Sequence, residues 1–219
     1  MTNDNRKEPM EWSEGSIARA ISLQTLARKC VVLVDRCNWT GHECDVLGVT
    51  TDLRIIDVEV KISRADLKKD AAKDKWWHRP GWRWGQDQPP AVAREHPPKV
   101  WKHYFAVPKE IWAPDVLEFL PNKASGVLVL HGKKDGRVIV TCERRAKPAK
   151  DAFRLKPENV MDIARLANLR MWEAYHQRDA ARREASDFYH GRRQVLKAYE
   201  PPPPDADDDG IDWPPRVAA

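Results

Sequence analysis

The chain is expected to fold as an α/β protein, a mixed central β-sheet flanked by helices. Three observations predict this: short β-branched apolar runs at 30–35, 43–49 and 55–62, a helix-spaced apolar pattern ahead of them, and a capped lysine-rich helix after them that leads into further strands. Size agrees, since 219 residues with 42% hydrophobic content can bury one substantial core with appendages rather than two ordinary domains.

Residues 1–10 are polar and expected to be flexible. From Ser13, a helix N-cap, the spacing of Ile17, Ala20, Ile21, Leu26 and Ala27 predicts a helix ending near Lys29, with Glu11 and Glu14 at or before its first turn. CVVLVD (30–35), ECDVLGV (43–49) and IIDVEVKI (55–62) read as strands, the last two as an antiparallel hairpin. Ser63, with Asp66 three residues on, caps a helix to Lys75. Residues 77–99 are rich in Trp, Arg, Gly and Pro without periodicity and read as an inserted loop. VWKHYFAVP (100–108), GVLVLHGK (126–133) and RVIVTCE (137–143) are further strands, and Pro157 opens an amphipathic helix that runs on, after a polar break, towards Ala198. The expected organisation is a core over 11–178, a helical extension over 179–200 and a disordered acidic, proline-rich tail over 201–219.

Charge is divided unevenly along the chain. The last 19 residues hold five Asp against one Arg, so the −4 there leaves +9 on the remainder of a +5 chain. A basic body raises the odds of a polyanionic partner. The absence of an apolar run of about 18 residues argues against a membrane partner, and MTNDNRKEPMEW lacks the apolar centre of a signal peptide, so a cytoplasmic location is expected. Four cysteines without a C-x-x-C pair fit reduced thiols, and buried strand cysteines are expected in preference to a zinc site built from Cys37, His42 and Cys44. His42, His78 and His103 are expected to pack as neutral groups or lie exposed.

Strand period two puts Asp57, Glu59 and Lys61 on one face of the third strand and Val58, Val60 and Ile62 on the core face. A solvated face with cross-strand ion pairs is the ordinary reading of such charges. Three features point elsewhere. Asp45, one hairpin away, can lie beside Glu59, and two neighbouring carboxylates repel unless a cation sits between them. Magnesium suits one or two carboxylates supplemented by water and phosphate oxygens. Lys61 follows Glu59 on the same face by roughly 7 Å, and basic residues crowd the segment that follows. Asp57 is read as the partner of a neighbouring basic residue, and Glu43 as a surface group.

An acid, then Glu-x-Lys on the next strand, behind a helix carrying an early Glu, resembles the PD-(D/E)XK nuclease superfamily. DVEVKISRADLKKD…KW followed by YFAVP and SGVLVL is similar to the MmcB-like DNA-repair endonucleases, over residues 12–145 and more loosely 150–175. The 77–99 loop looks longer than that pattern provides, and HECD carries Glu43 ahead of the first acid. The resemblance implies a restriction-endonuclease-like core and magnesium-dependent hydrolysis of DNA phosphodiester bonds, with manganese able to substitute. Asp45, Glu59 and the Val60 carbonyl would hold the metal, Lys61 would orient the attacking water, and Glu14, or Glu11, would be the helix acid.

Lys68, Lys69 and Lys73 on the following helix, and Arg79, Trp82, Arg83 and Trp84 in the loop, are the expected nucleic-acid contacts. Trp76 is expected to pack that helix on the sheet. CERRAKPAK (142–150) is a second basic stretch, and the acidic tail is expected to aid solubility. DNA is the expected partner, in repair or in processing of phage or bacterial DNA, with a homodimer as one possible arrangement. The alternatives are a catalytically inactive DNA-binding or assembly protein that retains the fold, and an RNA nuclease.

Overall fold

The computed structural model describes residues 11–79, 81, 85, 87, 89–133 and 135–198, with side chains described as far as 192. The expectations for residues 1–10 and 201–219, and for Trp82, Arg83 and Trp84, lie outside the described residues. By its contacts the chain forms two units, Met1–Met171 and Trp172–Ala219.

Helix α1 spans Glu14–Ile21 behind the Ser13 cap. The Ser13 hydroxyl accepts the Ser16 N–H at 3.2 Å while the Ser13 N–H donates to the Ser16 hydroxyl at 3.1 Å, satisfying both ends of the box. The helix does not continue to Lys29 as α. Over Ser22–Leu26 it widens into a π turn. The cause lies in the side chains: a further α turn would present Gln24 or Thr25 to the core, whereas a five-residue step from Ile21 brings Leu26 in beside Ile17 and Ile21.

Strands β1 (Cys30–Cys37), β2 (Cys44–Thr50) and β3 (Ile55–Val60) follow as an antiparallel meander. Helix α2 (Arg64–Asp70) starts the crossover, and a short ribbon of β4 (Trp77–His78) and β5 (Val92–Ala93) interrupts it before β6 (Val100–Pro108) lies parallel to β3. β7 (Gly126–Gly132) is parallel to β6, and β8 (Val138–Arg144) closes the edge antiparallel. The six-stranded mixed sheet has the order β1-β2-β3-β6-β7-β8, flanked by helices, as the α/β reading expects. Helix α3 runs from Pro157 to Ala198 without the expected polar break. No helix among the described residues is long and apolar enough to cross a membrane.

The faces of the sheet are covered by different elements. α1 packs Ile17, Ala20 and Ile21 on Val46, Val58 and Val60. On the opposite face Leu67 of α2 and Trp76 pack with Phe105, Val127 and Val129, while Ile163 near the start of α3 packs with Leu47, Val49 and Ile55. Burial of side chains such as these, worth about 1.5–3 kcal/mol each, holds the layers together. β3 is therefore central and buried on both faces, which overturns the solvated reading of its charges: Asp57, Glu59 and Lys61 are 0%, 2% and 4% exposed.

Three local expectations change as well. Ile62 is not a core residue but 43% exposed, because the strand ends at Val60 and the alternation ends with it. The helix capped by Ser63 stops at Asp70 rather than Lys75, and a tight 3-10 turn over Asp74–Trp76 then turns both Lys75 and Trp76 inward. Residues 77–99 contain the β4–β5 ribbon, with Trp77 opposite Ala93 and His78 opposite Val92, rather than irregular chain throughout.

Candidate active site

The expected residues meet where β2 begins and β3 ends. Asp45 is the second residue of β2, and one of its carboxylate oxygens accepts the Val60 N–H at 2.7 Å, which ties it to the end of β3 directly beside Glu59. Burial and the Glu59 carboxylate push the Asp45 acid up to about 6, against the pull of the Val60 N–H and the Lys61 ammonium. Glu14 stands exposed in the first turn of α1, and its charge adds to the upward push on Asp45. Asp45, Glu59, Lys61 and Glu14 thus act on one locality although they come from three elements. Glu11 and Glu43 are exposed.

Glu59 is surrounded by cations. Lys61 approaches it at 3.0 Å and Lys73 at 3.4 Å on one oxygen, and Lys75 donates a short hydrogen bond to the other. Asp70 is the second anion of the cluster, 2.8 Å from Lys73 and 3.2 Å from Lys61, and it accepts the Trp76 indole N–H at 3.0 Å. Burial alone would raise both acids, but the ammonium groups of Lys75 and Lys61 outweigh it and hold Glu59 and Asp70 below the usual carboxylate range. Reciprocally, and against the same burial penalty, Glu59 and Asp70 hold the Lys61 ammonium charged well above its usual range. Two buried carboxylates and two buried ammonium groups, joined by the half-exposed Lys73, form one network.

Sequence reasoning missed Asp70 and Lys75 as members of this network. Lys75 was expected among the phosphate-attracting cations, yet its side chain is 2% exposed and faces Glu59. The signal lay in the quoted pattern itself, where an Asp ends the helix and a Lys-Trp pair follows. Trp76 packs on the sheet as expected and stands edge-on to His103 at 4.8 Å between ring centroids.

Asp57 has basic neighbours, as expected. Its neighbours are imidazoles, with His42 Nε2 at 3.2 Å and His103 Nε2 at 3.8 Å, and not a lysine or arginine. The parallel pairing of β3 with β6 sets Asp57 opposite His103. Complete burial holds His103 neutral, down to about 3, in agreement with the neutral packing expected of it.

The expected phosphate contacts divide. Lys68 and Lys69 are exposed on α2, and the Lys68 ammonium lies 4.1 Å from the centre of the Phe119 ring. Lys73 belongs to the Glu59 network with its side chain half in solvent. Arg79 is exposed. A cleft of about 1010 Å³ lined by His78, Arg94, Lys99, Lys147 and Lys150 among others opens elsewhere. It reaches Val100 at the start of β6, whereas Glu59 is opposite Phe105, five residues or roughly 16 Å further along that strand. The cleft is therefore separate from the acids. Of the second basic stretch, Arg144 is used structurally, donating from Nε to the Ser125 carbonyl at 2.8 Å.

No family model matches the chain, and no curated protein does. A solved structure of a protein of unknown function from Silicibacter pomeroyi is similar, at 20% identity and a TM-score of 0.45, covering 79% of this chain and 94% of that one. A likeness so slight carries over neither fold nor activity.

Proposed function

We propose that the chain is a magnesium-dependent DNA endonuclease with a restriction-endonuclease-like core. The observation that carries this reading is the juxtaposition of Asp45 and Glu59 on adjacent strands, with the Lys61 ammonium 3.0 Å from Glu59. A carboxylate whose proton affinity is raised by burial and by a neighbouring carboxylate, at the end of a sheet, suits a divalent cation.

The donor set fits magnesium with one rearrangement. Asp45, Glu59 and the Val60 carbonyl would hold it, and manganese, which takes similar oxygen ligands, would substitute. Lys75 is buried and fixed on Glu59, but Lys73 is 47% exposed and its contact at 3.4 Å is the longest of the three, so Lys73 is the cation that yields. When bound, the ion polarises a phosphoryl oxygen and acidifies a water. The chain's own residues do the rest. Lys61, kept charged by Glu59 and Asp70, stabilises the negative charge that grows on the phosphate. Glu14 adds to the negative potential that favours a cation at Asp45. Lys68 and Lys69 meet the phosphate backbone from the exposed face of α2, and Lys73, once released, joins them.

A second reading has an observation of its own. Both Glu59 oxygens are already met by ammonium groups, so the acid is neutralised without a metal, as a DNA-binding or assembly protein that retains the fold would require. An RNA nuclease has the same site chemistry. A panel of labelled linear, nicked, flap, junction and single-stranded DNAs with matching RNAs, incubated with magnesium, manganese or EDTA, separates the three. Metal-dependent cutting of DNA supports the proposal. Cutting of RNA alone, or equal DNA retention with magnesium and EDTA without cleavage of any substrate, overturns it.

A further inference from the structure

On the same face of β3, two residues before Glu59, a second group of ligating side chains is assembled around Asp57. His42 Nε2, Cys44 Sγ and a carboxylate oxygen of Asp57 lie within 4.8 Å of one another. His42 Nε2 is 3.2 Å from Asp57 Oδ2 and 3.7 Å from Cys44 Sγ. Around a tetrahedral zinc with bonds of about 2.0–2.3 Å, neighbouring ligand atoms are about 3.3–3.8 Å apart. Two of the three separations therefore already match the edges of such a tetrahedron, and the third is within 4.8 Å.

A second, independent observation concerns unpaired atoms. Asp57 Oδ1 and His103 Nε2 are buried without a hydrogen-bond partner, and both residues are 0% exposed. Orphaned polar atoms in an interior are rare and costly. His103 Nδ1 is 3.0 Å from the Ser125 hydroxyl. In the tautomer that donates Nδ1–H to Ser125, His103 Nε2 presents a lone pair towards Asp57 Oδ2 at 3.8 Å. Two acceptors would then face each other in a dry interior, an arrangement that a cation resolves. An outer hydrogen bond that fixes the tautomer is a regular companion of ligating histidine.

We propose that His42, Cys44 and Asp57 form a site for a zinc-type divalent cation, with its fourth position open towards His103. A thiolate, a carboxylate and a neutral imidazole balance a dication, and sulfur with nitrogen selects zinc or cobalt over magnesium. His42, 13% exposed at its side chain, gives the entry path. The ion would fasten the β1–β2 loop to the central strand and, through Cys44, fix the neighbouring Asp45. Cys37 is not among the gathered donors; Asp57, remote in sequence, takes the place that a cysteine-based reading would give it. The site does not depend on the nuclease reading.

The test uses the full chain stripped with a chelator and reloaded with zinc or cobalt(II). Elemental analysis should return about one zinc per chain, and cobalt should give tetrahedral d–d absorption together with a thiolate charge-transfer band. Cys44→Ala should lose the charge-transfer band and weaken zinc by more than about 100-fold, whereas Glu59→Gln, outside the proposed ligands, should keep both. Sub-stoichiometric zinc with no thiolate band in the parent chain overturns the site even if every variant misfolds. A band that survives Cys44→Ala overturns the ligand assignment. Neither result bears on DNA cleavage, which Glu59→Gln reports separately.

Discussion

Asp45→Asn tests the electrostatics of the acid pair without reference to any substrate. The amide keeps an oxygen for the Val60 N–H, now at 2.7 Å, but removes the charge facing Glu59. Asp45 is raised from 3.8 to about 6 in the folded chain. The folded state therefore holds the proton more tightly than the unfolded one, so ionised Asp45 opposes folding. Stability is greatest below the unfolded value and falls as pH rises from 3.8 towards 6. At about 1.4 kcal/mol per tenfold, the full effect above that window is about 3 kcal/mol as an upper figure. Urea denaturation in EDTA should show the parent and Asp45→Asn nearly equal at pH about 4, with Asp45→Asn the more stable by about 1–3 kcal/mol at pH about 7.5. Magnesium should then stabilise the parent at the higher pH and leave Asp45→Asn unchanged. If Asp45→Asn is destabilised equally at both pH values, burial and the Glu59 charge together do not raise the acid and the reasoning fails.

Two further outcomes follow from packing and pairing. Lys75→Met leaves Glu59 short of its most buried partner and should lower stability by about 3–5 kcal/mol, while Glu59→Gln combined with Lys75→Met should recover much of that loss because both members of the buried pair are then neutral and the charge balance of the parent is kept; a double-mutant cycle by urea denaturation reads it, and additive losses would contradict the pairing. Ile163→Ala empties a fully buried position between α3 and the β1–β3 meander and should cost about 2–5 kcal/mol in the same assay, whereas Met161→Ala, 69% exposed, should stay within about 0.5 kcal/mol of the parent.

What could be read in advance was whatever depends on local period. Asp57 and Glu59 share a face because strands alternate, and Ser13 and Ser63 cap helices because their hydroxyls accept from orphan N–H groups. What could not be read depends on where an element stops or on pairing across the sheet. Alternation put Ile62 in the core, but β3 ends at Val60 and leaves it in solvent. A helix prolonged to Lys75 would have left that lysine outside; the break after Asp70 turns it onto Glu59. Asp57 and His103 become neighbours only through the parallel register of β3 with β6, which no local pattern encodes. The π turn at Ser22–Leu26 arises likewise from the demand of the core on Leu26, against the ordinary helical spacing.

The most direct test of the central claim is the rate at which the parent chain, Glu59→Gln and Lys61→Ala cut the DNA substrate that the panel selects, at fixed magnesium, with DNA retention measured on the same samples. The account predicts that both variants retain DNA within a few-fold of the parent and cut it at least about 100-fold more slowly, the order expected when a metal ligand or a transition-state cation is lost. Cleavage by either variant as fast as by the parent would contradict it.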